Sequence, residues 1–193
     1  MSGHATIIAG FGGQGLLFAG KVLAQAAMTE GKMVSWMPSY GPEMRGGTAS
    51  CTVIVAEGVI GSPVVDIADS VIALNPPSLA KFEPALAPGG LLVMNTSLIE
   101  ALPSRVDLEV LAIPCTALAR DSGHPRLASV VALGGLIARR PLVAPDSIRA
   151  ALAEMTGPQH LDLLTADLAA FDAGLAAAAG TVVGATSSSA DRR

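Results

Sequence analysis

Apolar residues run almost unbroken through "HATIIAG" (residues 4–10), stop at a cluster of glycines, and resume at helical spacing in "LLFAGKVLAQAAMTEGK". That order predicts a strand, a tight turn and a helix closed by Gly31. "MVSWMP" (33–38) predicts a second strand stopped by Pro38, and the alternating, β-branched "TASCTVIVA" (48–56) a third. "SVIALN" (70–75) predicts a buried strand, "PPSLAKFEPALAP" a helix with Pro in its first turn, and "GGLLVMN" (89–95) the next strand, which makes one βαβ crossover. "DLEVLAIP" (107–114) predicts the last strand. Beyond it Ala, Leu, Val and Ile recur at helical spacing through 125–139, 146–155 and 158–179, predicting helices that cover the sheet. The fold class is therefore α/β: an open, mostly parallel, Rossmann-like sheet with helices on both faces and a helical C-terminal portion. Residues 1–179 are expected to form a single domain. Residues 180–193, ending "TSSSADRR", have the composition of a flexible tail.

Composition narrows the function classes. Of the 193 residues 51% are hydrophobic but only 3% aromatic, so the core is built from Ala, Val, Leu and Ile, as suits a parallel sheet under helices. A net charge of −4 leaves no basic footprint for a phosphate backbone, which excludes nucleic acid as the expected partner. Charged residues are 15% of the chain, against an average of about 25%, so part of the surface is expected to be buried on other chains. Cys51 and Cys115 are far apart, with no CxxC, and are expected to be core thiols rather than metal ligands. No charged-then-apolar leader precedes the first strand, and the most apolar segment, 168–185, carries Asp172. A cytoplasmic chain without a membrane span is expected.

Two segments carry candidate chemistry. Gly10, Gly12 and Gly15 in "GFGGQG" match G-x-G-x-x-G between a strand and a helix, where backbone N–H groups and the helix dipole favour a phosphate. An NAD site also wants an acidic residue at the end of the second strand, and "MVSWMPS" has none. The turn either contacts an anionic cofactor or packs a strand tightly against its helix, and Gln14 at its tip can hydrogen-bond a ligand or a neighbouring subunit. The second segment, "MPSYGPEMRGGTAS" (37–50), crowds Tyr40, Glu43 and Arg45 among Pro38, Gly41, Pro42, Gly46 and Gly47. Arg45 can pair with a phosphate or carboxylate, Tyr40 can offer a flat face and a hydroxyl, and Gly46–Gly47 can present N–H groups to an anion. If the second strand lies beside the first, both segments meet at one sheet edge. Ligand recognition and a subunit contact are both open readings of this loop.

No Ser–His–Asp set, metal-ligand cluster or close carboxylate pair is evident, so no catalytic and no metal residues are assigned. His4, His124 and His160 are expected at the surface or in turns, and Asp66 and Asp69 as capping or solvated residues.

Together "GFGGQGLLFAGKVLAQAA", "WMPSYGPEMRGGTASCTVIVA", "IGSPVV" and "ALNPPSLAKFEPALAPGGLLVMNTSLI" resemble the gamma subunit, or gamma domain, of thiamine-dependent 2-oxoacid:acceptor (ferredoxin) oxidoreductases. The resemblance runs from about Ile7 to Gly135. It implies a share in oxidative decarboxylation, in which a 2-oxoacid and coenzyme A give an acyl-CoA and CO₂, with electrons passing to ferredoxin or another acceptor. The substrate would be 2-oxoglutarate, pyruvate, a branched-chain 2-oxoacid, indolepyruvate or phenylglyoxylate. It also implies that thiamine diphosphate, Mg and [4Fe–4S] clusters reside in partner alpha, beta and delta-type subunits, and that this chain helps shape the coenzyme A site. On that resemblance the binding residues are Gly12, Gly13, Gln14, Gly15, Ser39, Tyr40, Gly41, Pro42, Glu43, Arg45, Gly46, Gly47, Thr48 and Asn75. Ser129 departs from the family pattern, which has Asn there. A free-standing Rossmann-type NAD dehydrogenase and a purely structural scaffold are the competing readings.

Overall fold

The computed structural model describes residues 3–40, 48–157 and 159–180. Twelve regular elements follow in order: β1 (His4–Phe11), α1 (Leu16–Thr29), β2 (Met33–Tyr40), β3 (Thr48–Ala56), β4 (Ala68–Ala73), α2 (Pro76–Phe82), β5 (Leu86–Asn95), β6 (Glu109–Ile113), α3 (Cys115–Asp121), α4 (Ala128–Arg139), α5 (Pro145–Thr156) and α6 (Leu161–Gly180). Single 3₁₀ turns occupy Glu83–Ala85 and Pro125–Leu127. The strands form one sheet in the order β2-β3-β1-β4-β5-β6. The pairs β1–β4, β4–β5 and β5–β6 are parallel, whereas β3 runs antiparallel to both β1 and β2.

Alternation along the strands sends side chains to two different cores. Ile8, Cys51, Val53, Ile72, Leu91, Val93, Leu111 and Ile113 share one core with α1, α3, α4, α5 and α6. Ile7, Ala9, Val71, Ala73, Leu92 and Met94 share the other, where α2 contributes Leu79. Ten consecutive residues of α4, Ala128 to Ile137, are buried, so this helix is wrapped on all sides, as its uniformly apolar sequence requires. Adjacent glycines make that possible. A β-carbon at Gly135 would overlap the Ile113 side chain on the sheet, and one at Gly134 would overlap the Phe171 carbonyl on α6. Gly174 of α6 returns the contact, its missing β-carbon leaving room for the Val131 carbonyl. Backbone meets backbone there.

Several expectations are corrected. Pro38 does not stop the second strand; β2 continues to Tyr40, because an edge strand tolerates a missing N–H. The second strand does not lie beside the first either: the β2–β3 hairpin folds back so that β3 takes that place. The helix expected over 76–88 ends at Phe82, and β5 begins at Leu86, pairing with Ala68 through an irregular register. The last strand is shorter than expected and is followed by α3, which the apolar period does not reveal. Of residues 180–193, expected to be a tail, Gly180 ends α6 and 181–193 lie outside the described residues.

Candidate functional site

Chain connectivity locates the crevice. β1 leads into α1 on one face of the sheet, whereas its parallel neighbour β4 leads into α2 on the other. Connections that diverge from two adjacent parallel strands leave a gap at their carboxyl ends, the usual ligand site of open α/β sheets. The glycine turn and Asn75 stand on its two sides, joined by the Leu74 N–H donating to the Ala9 carbonyl at 2.9 Å.

Gly15 ends the turn and begins α1 with φ +77°, a left-handed conformation that side chains rarely adopt. A β-carbon there would lie 2.7 Å from the Arg126 carbonyl oxygen and 2.8 Å from Ser129 Oγ, so the turn also rests on the start of α4. No side chain caps α1 and no acidic residue occupies its first turn. Its leading N–H groups and positive dipole end are therefore unopposed from within. Gln14 is partly committed to the fold: its Oε1 accepts from the Phe11 N–H at 2.6 Å, leaving Nε2 for a second partner.

Asn75 caps α2, its Oδ1 accepting from the Ser78 N–H at 2.8 Å. The residue is wholly buried, yet its Nδ2 has no hydrogen-bond acceptor among the described residues. The hydroxyls of Ser78 and Ser129 are likewise buried without partners there. A buried donor without an acceptor costs about 1–3 kcal/mol, so the Asn75 amide just after β4 and the Ser129 hydroxyl against Gly15 are costs that a polar ligand reaching them would relieve. Asn95 does the opposite. Its Nδ2 donates to the Leu74 carbonyl at 3.1 Å and to Thr116 Oγ1 at 2.9 Å, tying the ends of β4 and β5 to the start of α3. Sequence reasoning singled out Asn75 and passed over Asn95, although "VIALN" and "LLVMN" carry the same signal, an apolar strand closed by Asn.

Among the loop candidates the structure describes three. Ser39 is exposed near the end of β2, and Tyr40 and Thr48 mark where the hairpin leaves and re-enters the sheet. Thr48 pairs with Phe11, so the hairpin connection departs from the same edge as the glycine turn, one strand removed. Gly41, Pro42, Glu43, Arg45, Gly46 and Gly47 lie outside the described residues.

Other titratable groups are placed for structure. His4 sits at the amino end of β1, its Nε2 2.9 Å from Ser70 Oγ; burial lowers its pKa and Asp69 opposes the shift. His124 Nδ1 accepts from the Arg126 N–H in a 3₁₀ turn. Cys51 and Cys115 are buried free thiols, burial pushing the first up to about 12 and raising the second as well, so neither is a nucleophile at neutral pH. No group of three His, Cys, Asp or Glu side chains among the described residues could hold a metal ion.

The family model described as pyruvate ferredoxin/flavodoxin oxidoreductase matches residues 5–177, nearly the whole described chain. The chain belongs to this family. Ketoisovalerate oxidoreductase subunit VorA of Methanothermobacter thermautotrophicus is 45% identical over 131 residues, 68% of this chain and 27% of VorA. The chain thus spans about a quarter of that relative. The crystal structure of the gamma subunit of a keto/oxoacid ferredoxin oxidoreductase from Geobacter sulfurreducens PCA matches with TM-score 0.79 and 29% identity, over 92% of this chain and 99% of that one. The 2-oxoglutarate:ferredoxin oxidoreductase of Magnetococcus marinus, solved with 2-oxoglutarate, coenzyme A and succinyl-CoA bound, shares the fold at TM-score 0.85 and 22% identity, covering 95% of this chain and 32% of that one. Within this oxidoreductase family the fold recurs both as a separate gamma subunit and as a part of longer chains. No helix among the described residues is long and apolar enough to cross a membrane.

Proposed function

We propose that this chain is the gamma component of a 2-oxoacid:ferredoxin oxidoreductase and that the crevice between β1 and β4 holds a phosphate-bearing part of coenzyme A. The observation that carries this reading is the pairing of an uncapped helix N-terminus at Gly15 with the buried, unpartnered Nδ2 of Asn75. Together they offer hydrogen-bond donors and a positive dipole end, with no carboxylate in the first turn of α1 to repel an anion. The bound coenzyme A of the Magnetococcus enzyme names a ligand with that chemistry.

The overall conversion is that of a 2-oxoacid and a thiol to a thioester and CO₂, releasing two electrons and a proton. Thiamine diphosphate and iron–sulfur clusters, held by companion alpha, beta and delta-type chains, supply the decarboxylation and the electron path to ferredoxin. This chain's part is to bind and orient. Gly12, Gly13 and Gly15 keep side chains out of the crevice mouth, Gln14 fixes the turn, and Asn75 holds the start of α2 while its amide reaches for an acceptor. The family resemblance also assigns Tyr40 and Arg45 to ligand binding. VorA names a branched-chain 2-oxoacid and the Magnetococcus enzyme 2-oxoglutarate, so the substrate class is a 2-oxoacid whose side chain is read elsewhere in the complex.

Asn75→Asp tests the reading in the assembled complex. Aspartate keeps the cap but buries a charge at a position with no exposure, so the melting temperature should fall by several degrees. An oxygen replaces the amide donor, and the deciding readout is the KM measured where the complex stays folded. The KM for coenzyme A should rise about tenfold or more, with the KM for the 2-oxoacid unchanged. An unchanged KM for coenzyme A would sink the proposal and leave the scaffold reading.

A further inference from the structure

At the opposite end of the sheet, on the face away from α1, residues 57–67 form a segment without regular structure. Val59, Val64 and Ile67 are 86%, 65% and 66% exposed, three large aliphatic side chains in one loop. They surround a cleft of about 370 Å³ whose floor is the Ala5–Ile54 pair of β1 and β3 and whose lining includes Asp66 and Asp69, the latter with Oδ2 accepting from the Ala5 N–H at 2.8 Å. No Lys, Arg or His lines it, and Asp66 is in no ion pair among the described residues. The segment makes no backbone–backbone hydrogen bond among the described residues; its one internal tie is Val64 N–H to Ser62 Oγ at 3.1 Å. Its peptide groups are open to another strand of polypeptide.

The cleft floor continues outward along the same face. Ser35 of β2 lies opposite Ile54, and its face-sharing neighbours Met33 and Met37 are 49% and 39% exposed. α2 covers this face only over β1 and β4, so no described helix lies on the β2–β3 half.

We infer that this cleft docks an extended segment of a companion polypeptide, one that places a Lys or Arg side chain between aliphatic residues. The aliphatic rim accepts the flanking side chains, the open peptide groups accept main-chain hydrogen bonds, and Asp66 with Asp69 complements the cation. A second copy of this chain fits worse. A twofold contact would bring the carboxylates of both clefts together, in a chain already carrying −4. The inference rests on the proposed membership of a larger complex. It is consistent with a chain that spans 27% of VorA, in which this fold is joined to much further polypeptide.

The test uses the chain co-expressed with its companion subunits. Val59→Asp/Val64→Asp should weaken assembly about 100-fold and Asp66→Lys about 10-fold, read by mass photometry across a dilution series. Both variants alter exposed side chains, so the free chain should melt within about 2 °C of wild type. A photo-crosslinking residue at position 64 should capture a companion chain next to a Lys or Arg. Assembly unaffected by both variants, or a crosslink to a second copy or to this chain itself, would overturn the inference while the coenzyme A result for Asn75→Asp stands. Failure of the wild-type chain to assemble with any companion overturns both.

Discussion

The two faces of the sheet are built on different principles. On one, five helices share a core with the strands, and α4 and α6 approach until glycine backbones touch. On the other, one two-turn helix and irregular segments cover only the central strands, while Met33, Met37, Val59, Val64 and Ile67 remain exposed. On the first face the exposed large apolar side chains, Met28, Leu161 and Leu163, stand on helices, whereas on the second they stand on the edge strand and its neighbouring loop. A chain with 51% hydrophobic and 15% charged residues cannot hide everything in one small core, so where the excess emerges is informative. It emerges away from the glycine crevice, which separates the ligand edge from the docking face.

Substitutions can break or sharpen that contrast. The largest effect is expected at Gly174→Val, where the new side chain would run into the Val131 carbonyl, a backbone group that cannot step aside. A loss of about 3 kcal/mol or more should appear in denaturant unfolding, against about 0.5 kcal/mol for Met37→Gln on the open face. Equal losses would mean that the faces do not differ in kind. Gly15→Ala should come next, at about 1–3 kcal/mol, since it meets both a left-handed backbone and the Arg126 carbonyl. A normal midpoint for that variant would show that the turn shifts freely off α4.

The smallest effect concerns Asp167, buried in α6 and accepting from Thr156 Oγ1 at 2.8 Å. Burial raises its pKa, with the Thr156 hydrogen bond opposing the shift. A raised carboxyl pKa favours the protonated form in the fold. Its contribution is therefore complete below the ordinary Asp value of about 3.9 and lost as pH climbs through the raised one. Asp167→Asn should flatten that decline and lift the melting temperature at pH 7 by about 2 °C. Melts of the two proteins from pH 4 to 7 that stay parallel would show that the carboxylate is comfortably solvated.

Much of this was legible in the chain because it depends on neighbours in sequence. The strand–glycine turn–helix unit, the strands at 48–56 and 70–75, and the long C-terminal helix follow from period and turn chemistry. α3 was not legible, since seven residues directly after Pro114 are too few to display a helical period. Pro38 misled because its cost depends on whether the strand lies inside or at the edge of the sheet. Ser129 carried no signal of its own; it matters because α4 begins where the glycine turn ends.

By itself the sequence determined most of the strands and the long helices, the uncapped start of α1 and the fact that apolar surface exceeds what one core can bury. Only the tertiary structure decided that β3 rather than β2 flanks β1 on one edge, that β4 pairs with its other edge and so brings Asn75 beside the glycine turn, and which face stays open. The reason is that a strand's two edges offer the same hydrogen-bonding groups to any partner. Which partner takes each edge is settled by side-chain packing summed over the whole sheet, and no local stretch of residues contains that sum.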